Sequence, residues 1–194
     1  MNIEVNGMIA AGTKEIITDY LILRRFKLSD AESACRNWAG DKEVQDMYGE
    51  PVYPTVEQTK KLLGKYIYSY RKNSYRWAVI EKESGECIGQ IAFFLVNENN
   101  NFAEIEYCIG SAFQCRGYAT EATRALLKYG FDEMNLHKIQ ISHRPSNTAS
   151  QKVIQKCGFT YEGSLRDYFL RGGEYEDRMY YSILEREYSL YYRQ

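Results

Sequence analysis

The chain has 194 residues, 44% of them hydrophobic and 26% charged, which is enough apolar content to enclose one sizeable core and too much for a disordered chain. Its 25 Lys and Arg against 26 Asp and Glu leave a net charge of −1, so no broad electrostatic attraction draws it to nucleic acid or to an anionic membrane. Five cysteines (Cys35, Cys87, Cys108, Cys115, Cys157) are scattered without a CxxC pair. That spacing suggests neither a zinc site nor a disulfide framework, and fits a reducing cytoplasm.

The first residues, MNIEVNGMIAAGTKEIITDY, carry acidic groups and no sustained apolar run. They read as an N-terminal extension over 1–18 rather than a signal peptide, and no window approaches a membrane span. A single domain is expected over 19–190. LILRRF at 21–26 predicts a short strand, with Ser29-Asp30 placed to cap a helix running to about Trp38. Pro54-Thr55 opens a second helix, in which Leu62, Leu63, Tyr66, Ile67 and Tyr70 recur at helical spacing. Strands follow at 75–82 and 87–96 across the turn 83–86, and a third at 102–109. Alternation there puts Glu104, Glu106 and Cys108 on one face, with the two carboxylates about 6–7 Å apart.

A helix is predicted from Gly117 to Met134 and a strand over 138–143, halted by Arg144-Pro145. Ser146 or Asn147 caps a short helix that stops at Gly158, and two final strands form a hairpin about Arg171-Gly172-Gly173. The total is seven strands and four helices in a mixed α/β sheet, with a βαβ crossover over 102–143. Eighteen tyrosines, many beyond residue 160, fit aromatic packing along these strands.

The strand-to-helix loop at 110–117 bears on function. A helix start gathers unpaired amide donors and the positive end of the helix dipole, which together favour phosphate. Gly117 permits close backbone approach, small Ala119 keeps the first turn clear, and Arg116 can add a charge-assisted contact. Neither the Walker pattern nor the dinucleotide glycine pattern occurs, which disfavours an NTPase or a Rossmann dehydrogenase. Neither His137 nor His143 has a partner at metal-ligand spacing, so no metal is assigned.

Gln114-Cys115-Arg116-Gly117-Tyr118-Ala119, continued by Thr120-Glu121-Ala122, matches [QR]-x-x-G-x-[GA]. Downstream stand Asn147-Thr148-Ala149-Ser150 and Lys156-Cys157-Gly158-Phe159. With these motifs in order, the chain resembles the GCN5-related N-acetyltransferase (GNAT) superfamily. It is similar to the branch that acetylates N-terminal amines of ribosomal proteins. The resemblance covers about residues 19–190. It implies a mixed, mostly antiparallel twisted sheet with a central splayed parallel pair, and an acetyl-CoA-dependent N-acetyltransferase that acts on a primary amine.

It further implies that residues 114 to 120 (Gln114, Cys115, Arg116, Gly117, Tyr118, Ala119, Thr120) hold the diphosphate of acetyl-CoA. Cys108 and Ile109 would offer backbone to the pantetheine arm, and Asn147, Ser150 and Lys156 would complete the cofactor set. Acetyl transfer needs a proton acceptor for the ammonium and a proton donor for the thiolate. Glu106, ahead of Glu104, is the expected base, directly or through water, although members of this branch commonly carry glycine at its position. Ser150 is the expected donor, since Val153 and Ile154 stand where many relatives place tyrosine. A non-catalytic acyl-CoA-binding or sensing module is the competing reading, and an unrelated α/β protein a third. The acceptor stays open between a protein N-terminus and a small-molecule amine, and a homodimer through the Tyr-rich hairpin is a further expectation.

Overall fold

The computed structural model describes residues 7–72 and 74–192; residues 1–6 of the expected N-terminal extension lie outside them. In chain order the elements are β1 (Ile16–Ile17), β2 (Leu21–Arg24), α1 (Ala31–Ala34), α2 (Lys42–Tyr48), α3 (Val56–Ser69), β3 (Tyr75–Glu81), β4 (Cys87–Asn97) and β5 (Phe102–Ile109). After these come α4 (Tyr118–Lys128), β6 (Lys138–His143), α5 (Thr148–Lys156), β7 (Thr160–Arg171), β8 (Glu174–Leu184) and α6 (Glu185–Tyr192). The strands hydrogen-bond in the order β1-β2-β3-β4-β5-β6-β8-β7. β5 and β6 are parallel, while β1/β2, β2/β3, β3/β4, β6/β8 and β7/β8 are antiparallel.

The expected mixed sheet is therefore present, with elements the sequence pattern did not announce. β1 has two residues, too few to show a period. α2 and α6 lie in stretches to which the sequence pattern assigned no element. The helix expected from Gly117 to Met134 is α-helical only to Lys128 and continues as a π-turn over Tyr129–Glu133. The helix expected to end near Trp38 is likewise composite: a 3-10 turn over Leu28–Asp30, then α1, then a π-turn over Cys35–Ala39. Asp30 has a different task from the one expected. Its carboxylate takes both prongs of Arg24 at 2.9 and 2.8 Å and accepts from the Lys27 amide at 2.8 Å.

The backbone contacts define two compact units. The first comprises Ala11–Phe93 and Glu106–Ala125. Its core sets Phe26, Trp38, Leu62, Leu63, Ala78 and Ile80 together, as the apolar stripe of α3 requires. Thr55 caps α3 by accepting from the Gln58 amide at 3.2 Å. Two glycines are fixed by close packing rather than by dihedral angle. A Cβ on Gly89 would stand 2.2 Å from the Cys108 carbonyl oxygen, and one on Gly110 would stand 2.0 Å from that of Asn37. Any larger residue at these places would push β5 and its exit loop out of position.

The short α2 persists because both of its ends are capped. Asp41 Oδ1 accepts from the amides of Glu43 (2.9 Å) and Val44 (3.2 Å), and Gly49 closes the C-terminus in the left-handed region at φ 86°. Asp41 Oδ2 also accepts from Ser111 Oγ at 2.6 Å, tying α2 to the loop after β5. Asp41→Ala is expected to cost about 1–2 kcal/mol, measured by urea unfolding, with Asp41→Asn recovering most of it because asparagine also caps.

The second unit comprises Phe94–Ile105 and Leu126 onward, with the residues before Ala11. Here β5 and β6 pair in register from Phe102↔Lys138 to Ile105↔Ile141. β8 flanks β6 from Lys138↔Leu184 to His143↔Met179. Phe131 stacks on Tyr188 of α6 at 4.7 Å, and Tyr188 on Tyr192 at 5.1 Å, which gives the C-terminal helix its seat. The hairpin β7/β8 carries exposed Leu165, Tyr168, Leu170 and Tyr175. Among the described residues no helix is long and apolar enough to cross a membrane.

Candidate active site

In the first unit, β5 ends at Ile109 and leads through a 3-10 turn (Ser111–Phe113) into the loop before α4. Gln114 is extended, and its side-chain amide donates to the Ile109 carbonyl at 2.9 Å, closing the loop on itself. Cys115 (φ 61°) and Gly117 (φ 88°) both lie in the left-handed region with Arg116 between them. The glycine was legible as a special position. The cysteine was not, since a non-glycine residue there is uncommon and is maintained where surrounding structure enforces it. The Glu121 amide donates to the Gly117 carbonyl at 3.0 Å, so helical bonding begins at the glycine. A Cβ on Gly117 would meet nothing within 4 Å, so the space before the helix start is open. Open space, a helix N-terminus and a glycine that lets backbone approach together fit a diphosphate.

Arg116 turns back into the loop. Its guanidinium lies over the Phe113 ring at 5.3 Å, donates to the Ala112 carbonyl at 3.1 Å and stands 3.5 Å from Glu81 Oε1. Glu81, 5% exposed at the end of β3, also accepts from Tyr118 Oη at 2.7 Å and Ser84 Oγ at 2.7 Å. Those hydroxyls hold its carboxyl below the usual range, and Glu81 in turn raises the Tyr118 hydroxyl. The lowered carboxyl contributes stability that is full above the ordinary glutamate value and is lost as pH falls through the folded one. The raised phenol contributes stability present below the ordinary tyrosine value and lost as pH rises through the folded one. The pair is intact across the neutral range. At the far side of the first turn, Glu121 accepts from Thr18 Oγ1 (2.5 Å) and the Tyr20 amide (2.8 Å).

Glu106 lies on β5 three residues before its last residue, Ile109, half-buried, with Arg76 Nη2 at 2.6 Å from its carboxylate. Arg76 is itself fixed: it hydrogen-bonds Gln90 and lies 4.6 Å over the Tyr66 ring. Gln90 donates to Tyr48 Oη at 2.5 Å. Burial first, then the charge of Glu106, keeps the Tyr48 hydroxyl neutral far above the usual phenol range. Burial also pushes the Cys108 thiol up, so at neutral pH it is no thiolate nucleophile and can serve through its backbone only.

Glu104 belongs to the second unit and is differently occupied. At 2% exposure, its Oε1 accepts from Arg178 Nη2 (2.5 Å) and Ser142 Oγ (3.1 Å), and its Oε2 accepts from Gln140 Nε2 (2.8 Å). Arg178 is enclosed by the Tyr168 and Tyr180 rings, each 4.7 Å away, and its Nε donates to Ser142 Oγ at 2.9 Å. Both oxygens of Glu104 are committed to holding β5, β6 and β8 together, whereas the Glu106 side chain keeps 24% of its surface accessible. Asn147 Oδ1 accepts from the Ser150 amide at 3.0 Å, so Asn147 is the N-cap of α5, Ser150 lies in its first turn and Lys156 ends it. His143 is buried, with Nδ1 donating to the Arg144 carbonyl at 2.7 Å and Nε2 3.3 Å from Tyr181 Oη. Among the described residues no group of three or more His, Cys, Asp or Glu could hold a metal ion.

The family model for the acetyltransferase (GNAT) domain matches residues 20–160. The chain belongs to the GNAT acetyltransferase family. This GNAT chain is 34% identical over 175 residues to the uncharacterized N-acetyltransferase p20 of Bacillus licheniformis, covering 90% of this chain and 98% of that protein. It is 29% identical over 154 residues to the spermidine N(1)-acetyltransferase of Vibrio cholerae, covering 78% of this chain and 86% of that one. A solved GNAT acetyltransferase of Bacillus anthracis superposes with a TM-score of 0.79 at 32% identity, over 90% of this chain and all of that one. The GNAT chain is accordingly an N-acetyltransferase.

Sequence reading missed the partners in this acetyltransferase rather than its motifs. Arg76, Arg178 and Glu81 stand 30, 74 and 35 positions from Glu106, Glu104 and Arg116, separations at which no periodicity links two residues.

Proposed function

We propose that the enzyme transfers the acetyl group of acetyl-CoA directly to a primary amine within a ternary complex, with Glu106 as the general base. One observation carries this reading. Within a single compact unit, β5 presents Glu106, accessible and oriented by Arg76, and then runs into the open cradle at 114–120. Glu106 takes the ammonium proton, directly or through one water, so that the amine lone pair can attack the acetyl carbon. The new C–N bond forms as the C–S bond breaks, and the second N–H proton, which the nitrogen sheds on becoming an amide, is relayed through the Ser150 hydroxyl to the departing thiolate, so that Ser150 ends protonated as it began. The roles of Ser150, and of Asn147 and Lys156 toward the cofactor arm, rest on the family motif they match.

Both a protein N-terminal amine and a small amine such as a polyamine suit a site with a carboxylate at its centre. The first is supported by resemblance to the ribosomal-protein branch, the second by the likeness to a spermidine acetyltransferase. Burial and the neighbouring Glu106 charge raise the carboxyl of Glu50. Glu50 and Glu106 thus face each other's field with Arg76 as their shared cation, an environment that favours a cationic acceptor.

Titration calorimetry with acetyl-CoA, followed by thiol release against peptides with free N-termini and against polyamines, tests the proposal. Binding with acceptor-dependent release of CoA is expected. Binding without release to any amine would make the protein a sensing module, and absence of binding would refute the cradle.

A further inference from the structure

The signature around Gly117 leaves the position after the glycine free, and the position before it is also unspecified. In this chain both neighbours, Arg116 and Tyr118, reach the same carboxylate. Glu81 Oε1 stands 2.7 Å from Tyr118 Oη and 3.5 Å from Arg116 Nη1, and Ser84 Oγ donates to the other carboxylate oxygen at 2.7 Å. Glu81 is itself fixed at the end of β3, where its amide donates to the Glu86 carbonyl at 3.0 Å and its carbonyl accepts from the Gly85 amide at 2.9 Å. Tyr118 is buried and is the first residue of α4. The carboxylate therefore grips the chain on each side of the residue that must adopt a left-handed conformation.

We infer that Glu81 is a positioning residue for the diphosphate cradle, holding Gly117 and the first turn of α4 in the anion-accepting arrangement through Tyr118 and Arg116. This rests on the acetyl-CoA reading above. The physical reason is preorganisation. A glycine has more conformations to lose than any other residue, and a loop already fixed in its binding shape loses less freedom when the ligand arrives. A buried carboxylate beneath an anion site works against the anion by charge alone. Its hydrogen bonds compensate by keeping the amides aimed outward, and its loose 3.5 Å contact leaves Arg116, 53% exposed, able to turn toward a phosphate.

The test compares two acetyl donors, acetyl-CoA and acetyl-pantetheine, which lacks the diphosphate, on Glu81→Ala, Glu81→Gln and Tyr118→Phe. With acetyl-CoA, the KM is expected to rise about five- to tenfold in Glu81→Ala and less in Tyr118→Phe, with kcat and the amine KM held within about twofold. With acetyl-pantetheine, wild type and variants should coincide. The double variant Glu81→Ala/Tyr118→Phe should be no worse than Glu81→Ala alone, because both remove one interaction. An equal rise with both donors would overturn the inference, since it would mark general distortion, and so would an unchanged acetyl-CoA KM in folded protein. Should Glu81→Ala fail to fold, Tyr118→Phe and Glu81→Gln decide the question with the same readouts. Failure of the underlying reading looks different: wild-type protein itself would show no heat with acetyl-CoA.

Discussion

Gly117→Val is expected to raise the acetyl-CoA KM at least about tenfold, because a left-handed backbone costs an L-residue roughly 1–2 kcal/mol and a β-branched one more. Two causes can be separated here. The added Cβ meets no protein atom within 4 Å, so it creates no internal clash, while φ 88° is disfavoured for any side chain. Gly117→Ala therefore reports the backbone cost, and the difference between Ala and Val reports bulk standing where the diphosphate would approach. Steady-state kinetics at saturating amine measures both, with thermal unfolding to show the fold intact. An unchanged KM in Gly117→Val would remove the cradle from the mechanism.

Glu106→Gln should lower kcat about a hundredfold or more, the usual loss when a positioned general base is removed. Glutamine keeps an oxygen for Arg76 to donate to, so the local framework survives while the proton acceptor is gone. Glu104→Gln makes the contrast. It leaves Arg178, 13% exposed and enclosed by tyrosine rings, opposite a neutral partner, so it is expected to appear as lost stability of about 3 kcal/mol, with turnover per folded molecule retained. If Glu104→Gln instead abolished turnover at unchanged Tm, and Glu106→Gln left it intact, the assignment of the base would reverse.

Much of the architecture was legible from local pattern. The two apolar runs 75–82 and 87–96 about the turn 83–86 marked β3 and β4, the alternation in 102–109 marked β5, and the left-handed glycines Gly117 and Gly158 fell at the start of α4 and just after α5. α2 was missed although its caps, Asp41 and Gly49, were in plain view, because seven residues hold too few turns to display a helical stripe. α6 was missed because its apolar residues, Tyr188 and Tyr192, gain meaning only from their stacking partners. The π-turns at Cys35–Ala39 and Tyr129–Glu133 have no signature in spacing; each is one residue of slack within a helix.

The candidate site divides in the same way. The motif residues 114 to 119 could be read off directly, but the distinction between Glu104 and Glu106 could not. Alternation puts both on one strand face, and only their surroundings tell them apart: the Glu104 side chain is 3% exposed against an arginine enclosed by tyrosines, while the Glu106 side chain keeps 24% of its surface accessible beside Arg76.

The bonds that converge on the start of α4 also bear on transplanting this cradle into a foreign scaffold. A segment carrying Gln114 to Glu121 would arrive without Glu81 on one side and without Thr18 and the Tyr20 amide on the other, the groups that receive Tyr118 and satisfy Glu121. Such a graft would bring the recognisable letters and leave its shape behind. The smallest portable unit is the loop together with the end of β3 and the turn before β2, three pieces of chain that are remote in sequence.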